Sequence, residues 1–278
     1  MSTLGRRMLT GIIFVTVMTA GIYVSAYTFI ILFGLIAGLC LWEFLGLALD
    51  VQGRKGLFRR IMGTAIGLAP FIIIAGLCLN AAETPYIYAK GFSILFVAFF
   101  AMMLFELFAK SENPFRNIAY SALGLIYIGA PFAMMVLVSF QSGSYLPNIM
   151  MSLLLLSWAN DSGAYGVGSR FGKTPLAPHI SPKKTWEGAI GGVVITIITA
   201  LICSQYITEF SLVDWLVLSL IIVTLGSLGD LTESMFKRNM QVKDSGKLLP
   251  GHGGLLDRFD GLIFIMPFVS AYIYWIKN

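Results

Sequence analysis

Apolar residues run through this chain in long blocks with brief polar punctuation, and nine blocks of about 17–25 residues stand out. They lie near 8–24, 28–49, 57–79, 91–109, 116–140, 148–168, 186–207, 213–236 and 258–277. Blocks of that length predict membrane-crossing helices rather than strands or core helices. The first two are split only by Val24–Tyr27, where Ser25 is the turn-prone residue. Arg6-Arg7 precede the first block and Val24-Ser25-Ala26 resembles a cleavage site, but we expect a retained anchor rather than a removed signal peptide. The pattern predicts an all-α integral membrane protein of about nine transmembrane helices. It forms a single polytopic membrane domain, 1–278, with helices 1–5 over 1–150 and helices 6–9 over 151–278. Long polar loops are expected at 169–185 and 237–257.

Composition agrees. Apolar residues make up 57% of the chain and charged residues 12%, against about 45–50% and 25% in soluble domains. The three cysteines, Cys40, Cys78 and Cys203, lie inside apolar runs without metal-ligand spacing and read as small hydrophobes. Charge then gives the orientation. With the N-terminus and the even loops on one side, 17 of the 19 Lys and Arg residues fall there, leaving only Lys90 and Lys277 opposite. Positive charge stays inside, so the N-terminus is expected in the cytoplasm and the C-terminus outside.

Acids within such blocks are costly, about 2.5–3.5 kcal/mol at a helix centre on insertion scales, and call for a function. Asp161 lies nine residues before Arg170 and Asp230 seven before Lys237, or about 13 and 10 Å deep along a helix. Asp257 and Asp260 open the last helix from the same side. The four imply a polar cavity open to the cytoplasm rather than a path through the bilayer. Ser227, Asp230, Ser234 and Lys237 form one polar stripe, and Asp257 and Asp260 share a face three residues apart. Asp230, Asp257 and Asp260 together make a hard-oxygen set suited to Mg²⁺ and substrate phosphates. The plainer alternative pairs Asp257 with Arg258 or Lys247 at a solvated helix start.

Between these acids stands Lys247–Asp260, KLLPGHGGLLDRFD. Gly251, Gly253 and Gly254 let backbone N–H groups face an anion, and the loop enters a helix N-terminus that favours phosphate. Lys237, Arg238, Lys243 and Lys247 add positive charge. Acids for a cation with bare backbone and bases for phosphates is the composition of a nucleoside triphosphate site. His252 is expected to contact phosphate or order the loop. A second cluster reads Ser181-Pro182-Lys183-Lys184-Thr185-Trp186-Glu187-Gly188; Ser181 or Thr185 could cap the following helix, and the doubled lysine suits an anionic headgroup. No P-loop sequence or Ser/His/Asp elbow is present.

At these residues the chain resembles the phosphatidate cytidylyltransferase (CDP-diacylglycerol synthase) family. The family signature, S-x-hydrophobic-K-R-x4-K-D-x-small-x2-hydrophobic-P-x-H-G-G-hydrophobic-x-D-R-hydrophobic-D, is met at every position from Ser234 to Asp260, and Ser181–Gly188 matches its S-P-K-K-T-x-E-G. The resemblance implies the reaction CTP + phosphatidate → CDP-diacylglycerol + pyrophosphate, in a bacterial inner membrane with the site facing the cytoplasm. It implies Mg²⁺ on Asp230, Asp257 and Asp260, with a second cation such as K⁺ left open. CTP would be held by Lys237, Arg238, Ser234, Lys243, Asp244, His252, Gly253, Gly254 and Arg258. The phosphatidate headgroup would meet Asp161, Ser181, Lys183, Lys184 and Thr185, its acyl chains staying in the bilayer. No nucleic-acid partner is expected, and a homodimer stays open. The competing readings are a cation-coupled transporter, which the bare outer half disfavours, and a CTP-dependent polyprenol or phytol kinase, which the intact signature disfavours.

Overall fold

The computed structural model describes residues 3–49, 51–80, 86–246, 248 and 253–277, with the backbone alone for 3, 4, 6–8, 86–89 and 277. Lys247 and His252 therefore lie outside the described residues. The chain is almost wholly helical: α1 Thr3–Tyr23, α2 Ala26–Ala48, α3 Gly53–Leu79, α4 Tyr86–Ala109, α5 Pro114–Gly124, α6 Ala130–Ser139, α7 Pro147–Phe171, α8 Trp186–Tyr206, α9 Leu212–Asn239 and α10 Leu256–Ala271. A π-helical turn, Leu125–Gly129, joins α5 to α6, and a second, Tyr272–Lys277, ends the chain's described part. Pro131 has no N–H to return to the preceding turn, which accounts for the widened geometry before it.

Each of the nine apolar blocks falls on helix. Among the described residues, seven segments are long and apolar enough to cross a membrane: Ala26–Ala48, Gly53–Leu79, Lys90–Ala109, Pro114–Ser139, Trp186–Tyr206, Leu212–Asn239 and Leu256–Ile276. In α1 the apolar stretch is shorter, Leu9–Tyr23. Helix α7, though 25 residues long, is interrupted by Asn160, Asp161 and Ser162 and falls outside the seven. The break at Ser25 is as the pattern predicts: Ser25 Oγ accepts from Thr28 N at 3.1 Å while Ser25 N donates to Thr28 Oγ1 at 3.0 Å, a reciprocal cap that starts α2.

The residues gather into two compact units, Met1–Tyr145 with Asp244–Leu256, and Leu146–Lys243 with Asp257–Asn278. The stretch Asp244–Leu256 is grouped with the first unit. In the first unit α3 packs against α2, α4, α5 and α6. Phe29, Phe33 and Phe132 are fully buried, in tilted and edge-on ring contacts with centroids 4.6 and 6.4 Å apart. Arg59 of α3 and Glu106 of α4, each 2% exposed, form an ion pair. Asn117 Nδ2 donates to the same carboxylate at 3.2 Å, and Ser111 Oγ also donates to it.

In the second unit α7 and α8 run in close contact because small residues face each other. A Cβ on Gly163 would stand 2.7 Å from Gly191 O, and one on Gly168 3.3 Å from Gly188 Cα. The α7–α8 connection, read from sequence as a loop, contains a two-stranded antiparallel hairpin, β1 Pro175–Ala177 and β2 Ser181–Thr185, pairing Pro175 with Thr185 and Ala177 with Ser181. Helix α9 starts with a cap in which Asp214 N donates to Ser211 Oγ at 3.2 Å. Tyr272 Oη donates to Asp214 Oδ1 at 2.7 Å, tying the end of α10 to the start of α9.

Replacing Arg59 with Met would leave Glu106 buried with neutral donors only. We expect a loss of about 3–5 kcal/mol in unfolding free energy, as for other broken buried pairs. Thermal unfolding in detergent should show it, and adding Glu106→Leu should recover most of the loss. An Arg59→Met protein as stable as the parent would rule out this pair as a determinant of α3–α4 packing.

Candidate active site

Five carboxylates come from three helices of the second unit: Asp161 on α7, Asp230 and Glu233 on α9, and Asp257 and Asp260 on α10. Helices α9 and α10 approach closely at Gly229, where a Cβ would stand 3.0 Å from Asp260 O and 2.6 Å from Phe264 Cβ. A bulkier residue there would hold the two acidic segments apart. Asp260 Oδ1 accepts from Gly261 N at 2.8 Å. Asp230 Oδ1 lies 3.4 Å from where a Gly261 Cβ would be, so the absence of that side chain leaves room for Asp230 against α10. Asp260 is within electrostatic reach of Asp230, Glu233 and Asp161. Asp161 in turn senses Asp230, Lys184 and Arg258.

Two lysines divide these acids. Lys237 Nζ stands 2.6 Å from Asp257 Oδ1 and 2.5 Å from Glu233 Oε2. Both carboxylates are withdrawn from solvent, their side chains 7% and 1% exposed. Lys184 forms an ion pair with Asp230 in a more open position. Asp257 thus pairs with Lys237 of α9, while Lys247, a partner offered by the plainer alternative, lies outside the described residues. The Lys184–Asp230 pair joins the two motifs, because Lys184 comes from the hairpin and Asp230 from α9.

The hairpin is aimed by a carboxylate. Glu187, in the first turn of α8, accepts from Lys173 N at 3.0 Å, Thr174 N at 3.1 Å and Thr174 Oγ1 at 2.9 Å. Trp186 N donates to Thr174 O at 2.9 Å, and Thr185 caps α8 by accepting from Gly188 N at 3.2 Å. Of the two capping candidates it is thus Thr185 that serves, while Ser181 opens β2. Lys183 is exposed beside Lys184.

Among the other predicted residues, Arg238 Nη1 reaches Val242 O at 3.4 Å at the end of α9. Lys243, Asp244 and Arg258 are exposed, and Ser234 is half-buried. Gly253 has a φ of +85°, a backbone angle that favours glycine. In the first unit Ser245, Leu255 and Leu256 all hydrogen-bond to Glu43.

Three acids escaped the sequence reading. Glu233 could have been found, since it stands three residues from Asp230 and four from Lys237 on one helical face. Glu187 sits inside the matched motif with no role assigned. Glu43 is a lone acid in the second apolar block, and its partners lie about two hundred residues away.

Carboxylate oxygens are the donors that a hard cation takes, and five carboxylates stand here with Lys184, Lys237 and Arg258. As placed, Asp230 and Asp257 are each engaged by a lysine, and among the described residues no three His, Cys, Asp or Glu side chains converge on one metal position. The same ammonium groups are the ones a phosphate would attract.

Comparison with known proteins adds an independent line. The sequence profile of the Cytidylyltransferase family matches residues 5–276. A phosphatidate cytidylyltransferase of Bacillus subtilis (strain 168) is 34% identical over 270 residues, 95% of either chain. One from Haemophilus influenzae is 31% identical over 289 residues, covering 98% of this chain and 99% of that protein. One from Staphylococcus aureus (strain COL) is 36% identical over 188 residues, 67% of this chain and 70% of that one.

Glu187→Gln tests the aim of the hairpin. The amides of Lys173 and Thr174 should exchange with deuterium severalfold faster, because a carboxamide offers one acceptor oxygen where the carboxylate offers two. Unchanged exchange at both amides would mean the hairpin holds its place without Glu187.

Proposed function

This chain belongs to the cytidylyltransferase family, and we propose that it is a phosphatidate cytidylyltransferase, converting CTP and phosphatidate to CDP-diacylglycerol and pyrophosphate. The observation that carries this reading is the Lys184–Asp230 pair, which brings the Ser181–Gly188 motif onto the acid cluster of α9 and α10. Phosphatidate supplies its own nucleophile: a phosphate oxygen attacks the α-phosphorus of CTP, the new P–O bond forms, and the α–β P–O bond breaks to release pyrophosphate. No covalent enzyme intermediate is needed. The chain's task is to align two polyanions that repel each other and to offset the charge that builds at the α-phosphate.

The roles follow from chemistry. Lys237, Arg238 and Lys243, with His252 and the Gly253–Gly254 amides, hold the CTP phosphates, assisted by Ser234, Asp244 and Arg258. Ser181, Lys183, Lys184 and Thr185, beside Asp161, take the lipid headgroup. Mg²⁺ on Asp230, Asp257 and Asp260 would supply positive charge to the phosphate oxygens, with K⁺ as a candidate second cation. Lys184 and Lys237, each already neutralising a carboxylate, exchange that partner for a phosphate when substrates arrive. Nine crossings, with the N-terminus in the cytoplasm of a bacterial inner membrane, put the loops at 169–185 and 237–257 on the side where CTP is made.

Purified protein should release pyrophosphate from CTP only when phosphatidate is present, with CDP-diacylglycerol as the lipid product. Asp230→Asn, Asp257→Asn and Asp260→Asn should each lower kcat at least about 100-fold while the protein stays folded, since carboxamides are poor ligands for hard cations. Near-normal turnover in all three would remove the acid cluster from the chemistry. Lys184→Ala should raise KM for phosphatidate more than for CTP, and Arg238→Ala the reverse; an inverted result would exchange the two pockets.

Orientation has its own test. In a background lacking Cys40, Cys78 and Cys203, a cysteine at the exposed Leu248 should react with a membrane-impermeant thiol reagent in inverted vesicles and not in intact cells. A cysteine at Thr208, exposed between α8 and α9, should do the opposite. Labelling of Leu248→Cys from outside intact cells would overturn the topology.

A further inference from the structure

Glu43 is the one acid of α2, buried at 9% exposure. Its Oε2 accepts from Ser245 Oγ at 3.0 Å and Leu256 N at 2.9 Å, and its Oε1 from Leu255 N at 3.0 Å. Ser245 stands at one end of the glycine-rich loop, and Leu255 and Leu256 at the other. Leu256 is the first residue of α10. A single carboxylate thus closes the loop across its base and satisfies the N–H groups that a helix start leaves unpaired. These N–H groups are the kind that a phosphate would otherwise seek at a helix N-terminus.

The glycines fit this clasp. A Cβ on Gly246 would overlap Glu43 Oε1, and one on Gly254 would overlap Ser245 Oγ and stand 2.5 Å from Glu43 Oε2. Gly246 and Gly254 therefore give the carboxylate its room, whereas Gly253 supplies the positive φ. Burying a carboxylate is costly unless donors surround it; the hydrogen-bond donors Ser245, Leu255 and Leu256 all belong to the loop, and Arg60 of α3 adds a favourable charge within electrostatic reach. The closed loop and the buried Glu43 stabilise each other.

We propose that Glu43 is a positioning residue for CTP binding. It ties Ser245 to Leu255 and Leu256 before nucleotide arrives, so that the backbone at Gly253 and Gly254 is already ordered when the triphosphate binds. The inference rests on the proposed cytidylyltransferase reading for its consequence, but the clasp itself is testable without turnover. Preorganisation of this kind lowers the ordering cost of binding, so its loss should appear in the affinity for one substrate.

Glu43→Gln replaces one acceptor oxygen with a donor and must leave part of the loop unheld. In nucleotide-free protein, deuterium exchange at the Leu255 and Leu256 amides should rise about tenfold or more. KM for CTP should rise about tenfold or more, with KM for phosphatidate and kcat nearly unchanged. Gly246→Ala, which crowds the Glu43 carboxylate, should reproduce the effect, and the double variant should be little worse than either, because both break the same clasp. Should Glu43→Gln fail to insert, Ser245→Ala removes one donor and should still raise KM for CTP about threefold. Parental loop exchange and parental KM for CTP in a folded Glu43→Gln protein would overturn the proposal. So would an equal rise in both KM values, the mark of a general loss of structure. If the parent protein itself makes no CDP-diacylglycerol, the functional reading falls, while the exchange experiment still decides whether Glu43 holds the loop.

Discussion

A carboxylate in an apolar helix has to be matched by a cation or by a set of N–H and O–H donors, and this requirement organises the protein. Glu106 meets it with Arg59, Asn117 and Ser111. Asp214 meets it with the cap of its own helix and the Tyr272 hydroxyl. Glu43 meets it with a loop, and Glu187 with two backbone amides and a threonine. In each case the acid ties together elements that hydrophobic packing alone would leave free to slide. Lipid tails are as apolar as a leucine side chain, so polar matches and close packing specify what burial cannot.

The acids of the candidate site follow the same rule with lysines as partners. Lys237 is shared between Glu233 and Asp257, Lys184 serves Asp230, and Asp161 and Asp260 lie within electrostatic reach of the cluster. A cluster of carboxylates is stabilised by whatever positive charge reaches it. A set of ammonium groups already at hand is ready for phosphates. On the proposed reading, these carboxylates and ammonium groups neutralise one another until a cation and phosphates compete for them.

Close helix approach is what makes the arrangement possible. Where Gly163 meets Gly191 and Gly168 meets Gly188, α7 and α8 come together at the base of the hairpin; where Gly229 meets Asp260, α9 and α10 come together at the acids. A side chain at any of these contacts would displace the backbone that carries Lys184 or Asp230. The glycines thus set how closely these helices approach without offering a functional group of their own.

Much of this was legible in the order of residues, because much of it is local. Apolar runs fix helices, Ser25 and Ser211 cap them, and acids three or four residues apart share a face; each depends on neighbours within one or two turns. The two motifs carry enough fixed spacing to announce the family. Whether α1 and α7 rank with the other seven spans was not legible in block length alone, since Asn160 and Asp161 interrupt one and the apolar part of the other is short. The hairpin at 175–185 was hidden because three- and five-residue strands leave almost no periodicity. Tertiary structure decided the distant partners of the acids. Lys184 found Asp230 across 46 residues, and Glu43 found Ser245 across 202. A sequence states that a buried carboxylate needs a partner, but the choice of partner depends on which distant backbone segments the packed helices bring within about 3 Å.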